Sequence, residues 1–222
     1  MRTVSLTIDG KAIKARAGEK LLWAALENGI YVPNLCAIKD KPEPNAVASC
    51  RLCFVEIEGE KVPVTACTVE VTEGMVVNTR GEKPLALARA GFELLMASHA
   101  LDCAHCTANG TCELQKIARV LKCSLKPKRL RLLLRDLPID DSNPLFTLDP
   151  NKCVLCGRCV WECRKHQEKA LLGFAHRGFE RVVATFGDEP IGADRCLDCA
   201  ACVKVCPSGA LAFRDGEKKV KA

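Results

Sequence analysis

Val4, Leu6 and Ile8 alternate with polar residues, and beyond Asp9-Gly10 the chain returns through Ala12, Ile13 and Lys14. A two-residue period on either side of a tight-turn dipeptide predicts a β-hairpin over residues 4–15. The period then lengthens. Leu21, Leu22, Ala25 and Leu26 fall on one helical face, Glu19 opens the segment, and Gly29 after Asn28 supplies a stop, so a short helix follows. Alternation resumes in Phe54-Val55-Glu56-Ile57-Glu58 and Lys61-Val62-Pro63-Val64-Thr65, a second hairpin around Gly59, and Met75-Val76-Val77 adds one more strand. A strand-strand-helix opening with later strands suggests a β-grasp unit ending near residue 78.

Helical spacing returns from Pro84 to His99, where Leu85, Ala88, Phe92 and Leu95 share a face and Pro84 lies near the first turn. A second helix is expected from Glu113 to about Leu121, with Cys123 on it as a small buried hydrophobe. Lys126-Pro127-Lys128-Arg129 through Pro138 is basic and leucine-rich, and reads as a solvated strand or linker. Arg131 and Arg135 interrupt its leucines, and the run is too short to cross a bilayer. Glu217-Lys218-Lys219-Val220-Lys221 reads as a solvated tail.

Composition adds the chemistry, because 16 of the 222 residues are cysteine. Disulfide scaffolds are short secreted chains. This chain passes from Met1-Arg2-Thr3-Val4-Ser5 straight into the strand pattern with no apolar signal segment, and contains no run of about 18 uncharged apolar residues. The expectation is a cytoplasmic protein with reduced thiols and no integral membrane segment. Most of the cysteines stand in C-x2-C groups, the arrangement of metal ligands.

The C-terminal third reads C-V-L-C-G-R-C-V-W-E-C from Cys153 and C-L-D-C-A-A-C-V-K-V-C-P from Cys196. A repeated C-x2-C-x2-C-x3-C run holds two [4Fe–4S] clusters, the fourth cysteine of each run serving the other cluster. Cys153, Cys156 and Cys159 are therefore expected to pair with Cys206, and Cys196, Cys199 and Cys202 with Cys163. Pro207 follows its cysteine as the pattern requires, whereas Arg164 stands where the first run would carry proline. Trp161, between two ligands, reads as packing that shields a cluster from water.

Two further sets lie upstream. Cys36, Cys50, Cys53 and Cys67, spaced C-x13-C-x2-C-x13-C, can hold a [2Fe–2S] cluster in the β-grasp unit. Four cysteines also suit a structural zinc ion, the competing reading for that motif. His99, Cys103, Cys106 and Cys112, spaced H-x3-C-x2-C-x5-C, can hold a third [4Fe–4S] cluster with one imidazole in place of a thiolate. His105 is a rival ligand by composition and reads as a bystander. The four sets use fifteen cysteines and leave Cys123 spare. Neither G-x-G-x-x-G nor G-x-x-x-x-G-K-[ST] occurs, and no further cysteine set is left for a nickel or hydrogen-activating centre. The catalytic set is therefore none, and the chain reads as a conductor of single electrons.

The formal charge of +6 would suit nucleic acid. Ligated, oxidised clusters contribute about −7 in all and bring the chain near neutrality, which removes the basis for a nucleic-acid partner.

Cys50-Arg51-Leu52-Cys53 with Val55-Glu56, Asn109-Gly110-Thr111-Cys112-Glu113-Leu114-Gln115, and Cys206-Pro207-Ser208-Gly209 carry a resemblance along nearly the whole chain. The order of sites resembles the N-terminal region shared by the complex I large iron–sulfur subunit, iron-only hydrogenases and NAD-linked formate dehydrogenases. Sixteen residues follow Cys206, and in this the chain resembles the HoxU-type diaphorase subunits of NAD-reducing [NiFe] hydrogenases. The resemblance implies an α+β fold: a β-grasp [2Fe–2S] domain over 1–78, a small helical His/Cys3 domain over 79–125, a linker over 126–140 and a two-[4Fe–4S] ferredoxin-like domain over 141–222. It also implies an oxidoreductase complex in which this chain transfers electrons between hydrogenase small and large subunits and an FMN/NAD-binding diaphorase subunit. The same relay in a formate dehydrogenase, an electron-bifurcating hydrogenase or a complex I-like enzyme stays open, as does a zinc-stabilised interaction module.

Overall fold

The computed structural model describes residues 2–39, 47–166, 171–192, 196 and 199–214. These divide into two compact units, Met1–Leu94 with Ile117–Ser124 and Leu95–Lys116 with Leu125–Ala222. The expected tail over 217–221 lies outside the described residues.

In the first unit, β1 (Thr3–Ile8) and β2 (Lys11–Arg16) form the expected antiparallel hairpin, in register from Thr3↔Arg16 to Ile8↔Lys11. Asp9 and Gly10 both take positive φ, 51° and 79°, the turn geometry that matches strand twist. The Asp9 carboxylate accepts hydrogen bonds from the Thr79 N–H and hydroxyl at 2.7 and 2.6 Å, fixing the turn to the end of a later strand.

The expected helix is α1 (Leu21–Glu27), and it starts two residues later than Glu19 suggested. Glu19 is committed elsewhere: its carbonyl accepts the Val71 N–H at 2.8 Å, and extended Lys20 bridges Glu70. Strands β3 (Phe54–Ile57), β4 (Val64–Thr65) and β5 (Val76–Asn78) complete a five-stranded sheet of order β2-β1-β5-β3-β4. The β4 strand is shorter than expected and begins after Pro63, which has no N–H for a ladder. Strands β1 and β5 run parallel and the other neighbours antiparallel. With α1 packed on this mixed sheet through Leu21, Leu22, Ala24 and Ala25, the topology is the expected β-grasp.

Helices α2 (Glu82–Ala97) and α3 (Glu113–Leu121) follow. The buried face of α2 is Pro84, Ala88, Phe92 and Met96, with Leu85 and Leu95 half-buried on its flanks. Cys123 lies beyond α3 rather than on it, because Lys122 turns into the left-handed region at φ 53° and ends the helix.

In the second unit, β6 (Phe146–Leu148) pairs with β9 (Leu211–Phe213), and β7 (Leu172–Ala175) with β8 (Val182–Thr185), both antiparallel. Helices α4 (Arg158–His166) and α5 (Ala201–Lys204) pack beside them. Phe146, Leu148, Val160, Leu172, Val183, Val203 and Leu211 form a core that includes Cys159, Cys163 and Cys202. The connector over 126–138 contains no strand. It is held nonetheless: the Leu133 N–H donates to the Ala97 carbonyl at 2.7 Å, and the Asn151 amide binds both backbone groups of Leu137. Among the described residues no helix is long and apolar enough to cross a membrane.

Candidate metal centres

The first four cysteines are buried within the β-grasp unit, each at most 5 % exposed. Arg51 takes φ 55°, and Ala48 nearby takes 47°. The Cys50 N–H points at the Cys36 sulfur at 3.5 Å. A hydrogen bond from Cys50 holds the Cys36 thiol down to about 5 against the upward push of burial. The same bond, with burial, pushes Cys50 up, and the Cys53–Cys67 pair repeats the pattern, with Cys53 raised and Cys67 lowered. The four thiols thus face one another in two hydrogen-bonded pairs, and a cation placed among them would favour the thiolate form.

Sequence reasoning missed Gly91, which stands opposite this loop in α2. A methyl group on Gly91 would lie 2.5 Å from the Arg51 carbonyl oxygen. A glycine inside a helical pattern, costing about 1 kcal/mol against alanine, was the available signal that another backbone passes close.

His99 follows α2 and is 9 % exposed. Its Nδ1 is buried without a hydrogen-bond partner. Burial lowers its pKa and keeps the ring neutral, the form that ligates metal, while a hydrogen bond to the Lys152 backbone orients it. The Cys112 sulfur lies 3.8 Å from the Pro207 carbonyl, and the Glu113 N–H donates to the same carbonyl at 3.1 Å. A Cβ on Gly209 would collide with the Cys106 sulfur, so the glycine of Cys206-Pro207-Ser208-Gly209 is needed for close approach. Burial pushes the Cys112 thiol up. His105 is turned to solvent and pairs with Asp102 at 2.8 Å, away from any shared ligand role.

In the C-terminal runs, left-handed residues turn the backbone around the sulfurs: Leu155 at φ 53°, Gly157 at 78° and Ala200 at 43°. Backbone N–H groups point at sulfur, Leu155 to Cys153 at 3.4 Å and Leu171 and Leu172 to Cys163 at 3.3 and 3.5 Å. Burial pushes Cys153 up to about 11 and Cys156 and Cys202 to about 12, and it raises Cys159 and Cys196. The thiolate charges felt by each are informative. Cys153 feels Cys206, Cys156 feels Cys206 and Cys153, and Cys196 and Cys202 feel Cys163 and Cys199. Cys159 also feels Cys202, so the two groups are neighbours within one core. Trp161 is half-buried on α4. Asn143, 1 % exposed, was also missed; its amide donates to the Cys196 carbonyl at 2.7 Å and anchors the second run.

Ala200 occupies in the second run the position that Gly157 occupies in the first, and both are left-handed. Left-handed alanine costs about 1–2 kcal/mol, partly offset by the backbone entropy a glycine would lose. Ala200→Gly is expected to stabilise the protein by up to about 1 kcal/mol, measured by thermal or denaturant unfolding under anaerobic conditions.

Among the described residues, no three His, Cys, Asp or Glu side chains converge closely enough to share one metal ion.

Residues 1–82 match a 2Fe-2S iron-sulfur cluster binding domain, residues 89–124 an NADH-ubiquinone oxidoreductase-G iron-sulfur binding region, and residues 152–210 a 4Fe-4S dicluster domain. The chain is 34 % identical over 222 residues to the NADP-reducing hydrogenase subunit HndD of Solidesulfovibrio fructosivorans, covering 95 % of this chain and 36 % of HndD. It is 31 % identical over 179 residues to the NAD-reducing hydrogenase HoxS subunit gamma of Cupriavidus necator, covering 80 % of this chain and 74 % of that subunit. A crystal structure of an NAD+-reducing [NiFe]-hydrogenase contains a chain that superposes with TM-score 0.82 at 30 % identity, over 97 % of this chain and 90 % of that one. The chain belongs to this family of iron–sulfur subunits of NAD-reducing hydrogenases. It spans about a third of HndD and about a quarter of the NADPH-Fe(3+) oxidoreductase alpha subunit of Geobacter sulfurreducens, at 36 % and 24 % of their lengths. Family membership accounts for the α+β fold, with a [2Fe–2S] domain ahead of [4Fe–4S] domains.

Proposed function

We propose that this chain relays electrons between a hydrogenase catalytic site and an FMN/NAD-reducing subunit through one [2Fe–2S] and three [4Fe–4S] clusters. The ligand sets are Cys36/Cys50/Cys53/Cys67, His99/Cys103/Cys106/Cys112, Cys153/Cys156/Cys159/Cys206 and Cys196/Cys199/Cys202/Cys163, in domains over 1–78, 79–125 and 141–222 with a linker over 126–140. The observation that carries this reading is the grouping of the C-terminal thiolates, where Cys206 neighbours Cys153 and Cys156 while Cys163 neighbours Cys196 and Cys202. That crossed grouping is what a two-cluster ferredoxin requires.

Bound clusters supply one-electron chemistry, and the chain's own residues set its conditions. Buried sulfurs exclude water, the N–H groups of Leu155, Leu171 and Leu172 stabilise anionic sulfur, and His99 supplies one neutral ligand among three thiolates. Splitting a hydride into single electrons is left to a flavin in a partner subunit. The hydrogenase small and large subunits, the FMN/NAD-binding diaphorase subunit and a cytoplasmic location complete the proposal.

The test uses the chain alone and in complex with the FMN/NAD subunit of its assembly. NADH is expected to bleach the visible absorbance of the clusters only when the flavin subunit is present, while dithionite reduces both preparations. Reduction of the isolated chain by NADH, or no reduction in the complex, would sink the relay.

A further inference from the structure

Lys152 directly precedes Cys153, and its side chain reaches Gly209. Its stem runs past Gly209, with Cδ 3.8 Å from where a Cβ would stand and with the Cys106 sulfur against the same spot. The ammonium is 3.0 Å from the Asp149 carboxylate, with side chains 21 % and 12 % exposed. The strand-to-helix turn holding both is rigid. Asp149 Oδ1 accepts the Asn151 N–H at 3.0 Å, the Asn151 carbonyl accepts the Ala100 N–H at 2.8 Å, and the Lys152 carbonyl accepts the Ser208 hydroxyl at 2.9 Å. Lys152 and Asp149 both act on His99, with opposite sign, and Lys152 also faces Cys106 and Asp102.

We propose that Lys152 and Asp149 are positioning residues that set the reduction potential of the cluster held by His99, Cys103, Cys106 and Cys112, Lys152 raising it and Asp149 lowering it. Reduction adds one negative charge to the cluster. A fixed cation beside Cys106 stabilises the reduced form, and a fixed anion disfavours it. Because both charges are largely withdrawn from water, screening is weak. Asp102 contributes little: it is half-exposed and already paired with His105. The pair therefore acts as an opposed couple whose members can be removed one at a time.

This inference rests on the His99 ligand set proposed above. The experiment is an EPR-monitored redox titration of the anaerobically purified full chain and of Lys152→Met, Lys152→Arg and Asp149→Asn. Methionine keeps the stem without the charge, arginine keeps the charge, and asparagine keeps an oxygen for the Asn151 N–H. The potential of this one cluster is expected to fall in Lys152→Met, rise in Asp149→Asn and stay close to the unsubstituted value in Lys152→Arg. The Cys153 cluster should move less in every variant. Shifts of the same sign in Lys152→Met and Asp149→Asn, or no shift, would overturn the inference, as would a larger shift at the Cys153 cluster. Should Lys152→Met fail to retain the cluster, a potential that does not rise in Asp149→Asn overturns it alone. Absence of this cluster's signal from the unsubstituted protein would instead refute the ligand set beneath it.

Discussion

A double variant carrying Cys163→Ala and Cys199→Ala is expected to lose about four irons per chain, not about eight. The two residues lie in different runs, 36 positions apart by their numbering. If each run held its own cluster, the pair of substitutions would damage both. In the crossed arrangement both residues belong to one cluster, so the second substitution removes nothing further. The proposed crossing rests on the charge of Cys163 acting at both Cys196 and Cys202. Alanine is the right replacement at Cys163 because that residue sits in the apolar core, where an unpaired hydroxyl would cost about 1–3 kcal/mol by itself. Iron and acid-labile sulfide per chain, compared with each single variant, provide the measurement. A double variant that loses the sum of the two single losses would show that each run keeps its own four cysteines.

Gly91→Ala is expected to destabilise the protein and to deplete the [2Fe–2S] signal, leaving the [4Fe–4S] signals in place. Two effects compete. Helix propensity alone favours alanine by about 1 kcal/mol. Against it stands the Arg51 carbonyl at 2.5 Å from the new methyl, a backbone atom that no rotamer change can move. Overpacking against fixed structure costs about 1–3 kcal/mol, so the steric term wins. Relief must come from the Cys50-Arg51-Leu52-Cys53 loop, where left-handed Arg51 and fully buried Leu52 leave little freedom. Anaerobic denaturant unfolding and EPR integration check the two parts. A more stable variant with an intact [2Fe–2S] signal would mean that the close approach has no consequence for the site.

The β-grasp unit was legible in outline because its signals are local. Val4, Leu6 and Ile8 show the period directly, and Asp9-Gly10 names its own turn. Glu19 was misplaced by two residues for a different reason: the bridge between Lys20 and Glu70 and the hydrogen bond from Val71 are long-range, and no local pattern reports them. The second unit hid more. Strands β6 and β9 are three residues each and separated by the whole cluster region, so neither has room for a period. The β7–β8 hairpin lies between the two cysteine runs, and its strands are four residues each, with only Leu172 and Val183 buried in the core.

Spacing points to the cysteine sets as candidate ligands, since positions on a tight loop are fixed by covalent geometry. It does not point to the residues that hold those loops. Asn143 reaches Cys196 from 53 positions away, and Gly209 is shaped by Cys106 from more than a hundred. Lys152 adjoins Cys153 in the chain, yet its stem lies against Gly209, where the Cys106 sulfur also lies. What sequence spacing points to is the candidate donor; the residues that pack around and hold it are distributed over the fold.

Iron and acid-labile sulfide, counted on anaerobically purified chain and followed by low-temperature EPR during stepwise reduction, test the four-cluster relay most directly. About fourteen irons per chain, with one [2Fe–2S] signal and separate [4Fe–4S] signals, are expected. About four zinc ions with no EPR signal on reduction would contradict it.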